Sequence, residues 1–234
     1  MAGAELGKAL FWRGYAHDRQ GATDSAIADY SEAIRLDPTT AAAYEGRARI
    51  LTETGHRDRA IADWSEIVRL DPNNLTAHIN RGVLRFFTGD LDHAIEDFDT
   101  ALALDPSNAG VYSNRGAAWR EKGDLDRAVA DLDRAIQLQP DYARAFHHRA
   151  LAWERRGDAD RAITDYDAAI RLEPGMTAAL VQRGLLHEKT GDLERARADL
   201  SAATTAPPKY FDDPRAQQTA REHLTRIGIA AKPQ

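Results

Sequence analysis

The residues able to do chemistry in this chain are few, and their spacing restricts them further. His147 and His148 are adjacent, and on a helix adjacent side chains point about 100° apart, so the pair reads as polar surface more readily than as a chelating site. His187-Glu188 opens like the helix of a zinc protease, but the second histidine would fall where Gly191 stands. No Gly-x-x-x-x-Gly-Lys loop, Gly-x-Gly-x-x-Gly turn or Gly-x-Ser-x-Gly elbow occurs, so nothing cradles a phosphate or presents a serine nucleophile. With Cys 0, thiolate zinc sites, iron–sulfur clusters, disulfides and thiol nucleophiles are also excluded. The expectation is a protein that is not an enzyme and holds no metal and no cofactor.

What remains is a set of polar groups, and the chain that carries them has an ordinary globular composition. Its 234 residues, 43% hydrophobic and 29% charged, suit one domain or two small ones. Asp+Glu 37 against Lys+Arg 31 gives a net charge of −6, a field that repels nucleic acid and anionic membranes. Apolar runs fall well short of the roughly 20 residues a bilayer crossing needs. Glu5 precedes any cationic stretch at the N-terminus, so no secretory signal is legible and a cytoplasmic location is expected. The preference for arginine over lysine, 26 to 5, hints at GC-rich coding and a bacterial source.

The polar groups are positioned by an internal repeat. Asp-Pro at 37–38, 71–72 and 105–106 is followed by Gln139-Pro140 and Glu173-Pro174, each step being 34 residues. The same step carries Gly21, Gly55, Gly89, Gly123, Gly157 and Gly191, then Ala26, Ala60, Ala94, Ala128, Ala162 and Ala196, with no insertion or deletion. Within a unit the glycine ends a first helix, where a left-handed residue is needed. Three residues later an acid (Asp24 in the first unit) marks the start of a second helix. Ala26, Ile27, Tyr30, Ala33 and Ile34 then form an apolar stripe of helical period, and proline stops the helix. The small column Gly14, Ala48, Gly82, Gly116, Ala150 and Gly184 predicts close helix contact, since a mid-helix glycine otherwise costs about 1 kcal/mol against alanine.

Two polar columns run unbroken: Arg13, Arg47, Arg81, Arg115, Arg149 and Arg183, and Asp29, Asp63, Asp97, Asp131, Asp165 and Asp199. Equal number and phase predict a structural ion-pair ladder between packed helices in preference to a rail for phosphate or carboxylate ligands.

Lines such as Tyr112-Ser113-Asn114-Arg115-Gly116 and Gly123-Asp124-Leu125-Asp126-Arg127-Ala128-Val129 are similar to the tetratricopeptide repeat, and the chain resembles that family over residues 7–210. The resemblance implies an all-α, right-handed α-solenoid of six helix-turn-helix repeats: 7–40, 41–74, 75–108, 109–142, 143–176 and 177–210. Residues 1–6 form an N-terminal extension. Asp213-Pro214 starts a further apolar stripe, Ala216, Ala220, Leu224 and Ile227, read as a capping helix over 211–228 with a tail at 229–234.

The family lines its concave surface with first-helix residues, here Lys8, Phe11, Trp12, Tyr15, Asp18 and Arg19 and their equivalents every 34 residues, and uses it to receive an extended peptide or a partner helix. Over those slots the formal charge sums to +1 while the whole chain is −6, so the groove is relatively cationic. Unit three departs most, because Phe86-Phe87 occupies slots that are polar in the other units. With Ile79 and Val83 it makes an apolar face at i, i+4, i+7 and i+8. In the competing reading Phe87 packs beneath the next unit and only Phe86 is partly exposed, which leaves Phe86 as the anchor.

Asn80 and Asn114, continued by His148 and Gln182, resemble the ladder with which the family holds a peptide backbone. The family's carboxylate clamp is incomplete: Asn114 matches and Arg144 stands in for a lysine, but Ile79, Val83 and His148 replace the other members. Arg49, Arg120, Arg144 and Arg155 still give cationic points, which favours a partner segment mixing acidic and apolar residues. The expected role is therefore a non-catalytic scaffold or adaptor. Ile79, Val83 and Phe86 serve as anchors, Asn80, Asn114 and His148 as polar ligands, and Arg49, Arg120 and Arg144 as selectors. The alternative is self-assembly into a homo-oligomer through the first unit, where Phe11 and Trp12 are either exposed or covered by residues 1–6 folding back.

Overall fold

Six left-handed glycines punctuate the chain, and they fall on the predicted column: Gly21, Gly55, Gly89, Gly123, Gly157 and Gly191 have φ between 74° and 88°. At Gly89 the backbone N–H donates to Phe86 O and that of Asp90 to Arg85 O, the double bond that closes a helix end. A computed structural model describes residues 2–207, 209 and 213–230. Among them are α1 (Ala2–Arg19), α2 (Thr23–Leu36), α3 (Ala41–Glu53), α4 (Arg57–Leu70), α5 (Leu75–Thr88), α6 (Leu91–Leu104), α7 (Ala109–Lys122), α8 (Leu125–Leu138), α9 (Ala143–Arg156), α10 (Ala159–Leu172), α11 (Thr177–Thr190), α12 (Leu193–Thr205) and α13 (Asp213–Ala230), with no strand.

The helices form two compact units, one ending at Ser107 and one beginning at Asn108. Unit 1 holds α1 to α6 and unit 2 holds α7 to α13. In each, a first helix pairs with the second helix of its repeat, and that second helix packs on the next first helix.

Pair packing follows a small-against-large rule. A side chain on Gly82 would place its Cβ 2.7 Å from Phe98 Cε1, a distance real contacts do not reach, so the glycine is what lets α5 and α6 approach. The partner column of large residues is the core itself: Tyr30, Trp64 and Phe98 in unit 1 and Leu132, Tyr166 and Leu200 in unit 2 are all buried.

The arginine and aspartate columns meet as the sequence predicts. In each of the six repeats arginine Nε lies 2.8–3.0 Å from the aspartate Oδ2, and Nη2 lies 2.5–2.7 Å from Oδ1. A two-pronged geometry of this kind strengthens a charge-assisted bond. The arginine also reaches the second helix of the preceding repeat: Arg47 to Ser31 Oγ (2.8 Å) and Arg81 to Ser65 Oγ (3.3 Å) in unit 1, Arg149 to Asp133 (2.6 Å) and Arg183 to Asp167 (2.5 Å) in unit 2. The ladder thus joins helices within repeats and between them.

At the two ends the expectations need adjustment. Residues 2–6 do not fold back beneath Phe11 and Trp12; they extend α1 by more than a turn. Helix α13 is described from Asp213 to Ala230, where the sequence pattern suggested a capping helix over 211–228; residues 210–212 and 231–234 lie outside the described residues. It packs on α11 and α12, burying Ala220 and Ile227 with Leu180, Val181, Leu200 and Ala203. Arg226 and His223 of α13 both reach Glu188 of α11, at 2.7 Å each.

Candidate partner-binding faces

The first helices of unit 1 present aromatic rings to solvent. On α1, Trp12 is 64% exposed and Tyr15 46%, with ring centroids 6.0 Å apart at 84°. On α5, Phe87 is 64% exposed and stands edge-on to Phe86, centroids 5.5 Å apart at 74°. Trp12, Tyr15 and Phe87 stand among the exposed large apolar side chains of the described residues and lie on first helices.

Several sequence-based expectations change here. Phe87 is the exposed ring and Phe86, like Ile79 and Val83, is half-buried, the reverse of the competing assignment. The helical step of 100° explains it: Phe87 lies one residue further round α5 than the Ile79–Val83–Phe86 line. Phe11 is half-buried against the unit 1 core, its ring 5.9 Å from Tyr30, so only Trp12 of the suggested oligomer pair stands in solvent. Asn80 spends a side-chain N–H on Thr76 O (2.9 Å) within its own helix. Arg49 is no isolated cation, because it bonds Asp18 of α1 and Glu53 of α3. A ligand carboxylate would have to compete with both.

Unit 2 has a different face. Arg155 of α9 donates to Arg120 O (2.6 Å) and to Glu121 Oε2 (2.7 Å) on α7, tying two successive first helices together. Arg120 itself is only 7% exposed and is not the accessible selector the sequence suggested. Its Nε and Nη2 bond Glu121 Oε1 at 3.2 and 2.6 Å, and burial pulls its pKa below the usual arginine value. Asn114 is half-buried on α7, whereas Arg144 is exposed on α9.

His147 and His148 are half-buried with their rings 5.5 Å apart, and His147 lies 6.0 Å from the Tyr166 ring. Burial, reinforced by the charges of Arg120 and Arg144, lowers His147 to about 4; burial with His147, Arg120 and Arg144 holds His148 well below the usual histidine range. Both are therefore neutral at pH 7. The Tyr166 hydroxyl donates to Glu154 Oε2 at 2.9 Å, and burial pushes that phenol far up. The sequence reading took His147 and His148 as polar surface because one histidine of an adjacent pair is ordinarily solvent-facing; the signal against it was that both occupy first-helix slots, those of Phe11 and Trp12 in the first repeat.

Among the described residues no three His, Asp or Glu side chains converge as a metal site. A cavity of about 410 Å³ in unit 2 is lined by Asp167, Arg183, His187, Arg195 and Asp199, and its two acids already bond Arg183.

Helix pairs of this length, joined by a left-handed glycine and stacked at a strict 34-residue interval, define a helical-repeat protein. The tetratricopeptide repeat profile matches residues 7–40 and, in overlapping segments, 45–109, 82–143, 114–177 and 149–211, so the chain belongs to the tetratricopeptide-repeat family.

Solved structures agree on the fold. A tetratricopeptide repeat protein from Parabacteroides merdae superposes with a TM-score of 0.78 at 18% identity, over 98% of this chain and 95% of that one. MamA gives 0.67 at 23% identity over 81% and 96%. YrrB, described as a TPR protein with an unusual peptide-binding site, gives 0.65 at 19% identity over 77% and 90%. No curated protein matches the chain in sequence. Among the described residues no helix is long and apolar enough to cross a membrane.

Proposed function

We propose that this tetratricopeptide-repeat protein is a non-catalytic adaptor that receives a partner segment along its first helices. The observation that carries the reading is the exposure of Trp12, Tyr15 and Phe87 on the first helices of unit 1. Rigid aromatic side chains contribute large contact area at low entropic cost and are the usual anchors of an interface. Ile79, Val83 and Phe86 back Phe87 with an apolar line, while Asn80 and Asn114 offer amides to a peptide backbone. Of the unit 2 residues Arg120, Arg144 and His148, the exposed Arg144 is the cation open to an acidic side chain, so the favoured partner mixes acidic and apolar residues. The peptide-binding description of YrrB, a fold neighbour, is in keeping with this role. Preorganisation by the ladder keeps the faces rigid before binding and so lowers the ordering cost.

The alternative is self-association through α1, favoured by the solvent-facing Trp12 beside Tyr15. One experiment separates the two. Immobilised wild-type, Phe87→Ser and Trp12→Ser proteins are challenged with lysate of the source cell, and their masses are followed by light scattering against concentration. Phe87→Ser should leave stability within about 0.5 kcal/mol, as expected for an exposed side chain, and should lose a captured partner. Unchanged capture by that variant removes the groove reading. A mass that grows with concentration in wild type and not in Trp12→Ser puts self-assembly in its place.

A further inference from the structure

Buried side-chain atoms that lack a hydrogen-bond partner are scarce in folded proteins, and each calls for a physical account. In unit 2 four of them lie on two neighbouring helices, Ser113 Oγ and Arg120 Nη1 on α7 and His147 Nε2 and His148 Nδ1 on α9; the two rings are 5.5 Å apart and both feel the charge of Arg120. All four belong to groups that can donate to an anion, and one of them is a guanidinium held inside the protein.

We propose that the α7–α9 face is a proton-linked carboxylate site, in which an aspartate or glutamate side chain of a bound segment accepts from Arg120 Nη1 and from the His147 and His148 rings while one ring takes up a proton from solvent. The proposal rests on the reading of unit 2 as a partner-binding face and names the chemistry that face selects.

The local charge balance supports it. Glu121 is shared between Arg120 and Arg155, so this trio keeps one positive charge in excess. Several carboxylates on the helices packed around α9 already have partners. On α8, Asp126 bonds Arg156 and Asp133 bonds Arg149; on α10, Asp165 bonds Arg149; on α9, Glu154 accepts from Tyr166. The charges felt by both rings, from Arg120 on α7 and Arg144 on α9, are positive, and with burial they keep the rings neutral.

A carboxylate reverses that field. It supplies the missing negative charge to Arg120, whose burial makes an unmet charge costly, and it makes imidazolium favourable where it was suppressed. Each imidazole is half-buried as a whole while its unpartnered nitrogen is covered, so binding requires the rings to turn about their side-chain bonds and uncover those atoms. Because one proton accompanies each carboxylate, affinity rises about tenfold per unit fall in pH between the titration midpoints of the free and occupied site.

The test is a histidine-ring NMR titration of the full chain from pH 4 to 8 at constant ionic strength. The probe is N-acetyl-aspartyl methylamide, with N-acetyl-asparaginyl methylamide and inorganic phosphate as comparison arms. The aspartyl probe should raise the midpoint of His147 or His148 by at least one pH unit, and the asparaginyl probe should leave both in place. Arg120→Gln should abolish the shift; His148→Gln, at a half-buried and more tolerant position, should weaken probe binding, and replacing both His147 and His148 by Gln should remove its pH dependence. Phe87→Ser, in unit 1, should keep the shift. Unmoved midpoints with the aspartyl probe overturn the proposal, and an equal shift with phosphate overturns the assignment to a partner's side chain in favour of a free-anion site. Its failure is distinguishable from that of the adaptor reading, which is decided separately by partner capture through Phe87.

Discussion

Units 1 and 2 share a ladder and a core pattern but fasten the ends of their second helices in opposite ways. In unit 1 the carboxylates sit at the exits: Asp37, Asp71 and Asp105 accept the N–H of Thr39, Asn73 and Ser107, forming the turn that precedes the next helix. At its entries, Ala22, His56 and Asp90 make no side-chain cap, the Asp90 carboxylate bonding His93 instead. Unit 2 places carboxylates at the entries, where Asp124, Asp158 and Asp192 accept the N–H of Arg127, Arg161 and Arg195; its exits carry Gln139 and Glu173. The inter-repeat rung differs too, serine hydroxyls in unit 1 and carboxylates in unit 2. The faces follow suit, exposed aromatics on unit 1 and an ionic network on unit 2. The repeat tightly restrains what packs between helices and leaves helix ends and outward slots free to diverge.

The largest effect should come from the feature the units share. Asp63→Ala in unit 1 and Asp165→Ala in unit 2 each strand an arginine between helices, and each should cost about 3 to 5 kcal/mol in urea unfolding. A loss confined to one unit would break the equivalence of the two ladders.

Next comes a pH response expected of unit 2. His147 is held near 4 in the folded protein, against about 6.5 in an unfolded chain. Between those values the unfolded chain binds a proton that the folded chain does not, so stability falls as pH drops from about 6.5 towards 4. The slope is at most about 1.4 kcal/mol per pH unit for one such group. Thermal melts across that range should show the decline; His147→Gln should reduce it and leave the part that His148, also held low by burial, contributes. Carboxylates such as Asp29, whose pKa is lowered by its hydrogen bond to Arg13, withdraw their contribution only below about pH 4, outside that window. A flat wild-type profile would remove the electrostatic distinction between the units.

The smallest expected effects concern the helix entries. Asp158→Ala should cost about 1 kcal/mol. Ala22→Asp should gain up to about the same, since Ala22 (φ −82°, ψ 67°) has a backbone close to that of Asp124 (φ −85°, ψ 81°). Hydrogen exchange in the first turns of α10 and α2 reads both; an unchanged Ala22→Asp would mean that unit 1 does not lack this cap energetically.

Much of this was legible beforehand for identifiable reasons. Gly89 at φ 83° and Gly82 against Phe98 are positions where a side chain is excluded by the backbone or by a ring, so composition alone exposes them. Arg81 and Asp97 recur in phase because each needs the other when buried. The candidate faces were less legible. Arg49 read as a free cation because nothing in a linear sequence places Asp18, in the preceding repeat, against it. Phe86 and Phe87 occupy adjacent slots of equal chemistry, and only helix rotation within the packed unit separates the exposed ring from the half-buried one.

The amino-acid sequence by itself therefore determines the repeat, the helix pairs, the glycine turns and the partners in the ladder, because these depend on local backbone rules and on a period that cannot slip without losing every contact at once. Only the tertiary structure decides which outward residues remain available. Arg49 is met by Asp18 across a repeat boundary, Arg120 is buried with an unmet N–H, and His147 and His148 are drawn partly inside. Exposure and charge compensation depend on what the neighbouring helix brings, and that is settled by packing.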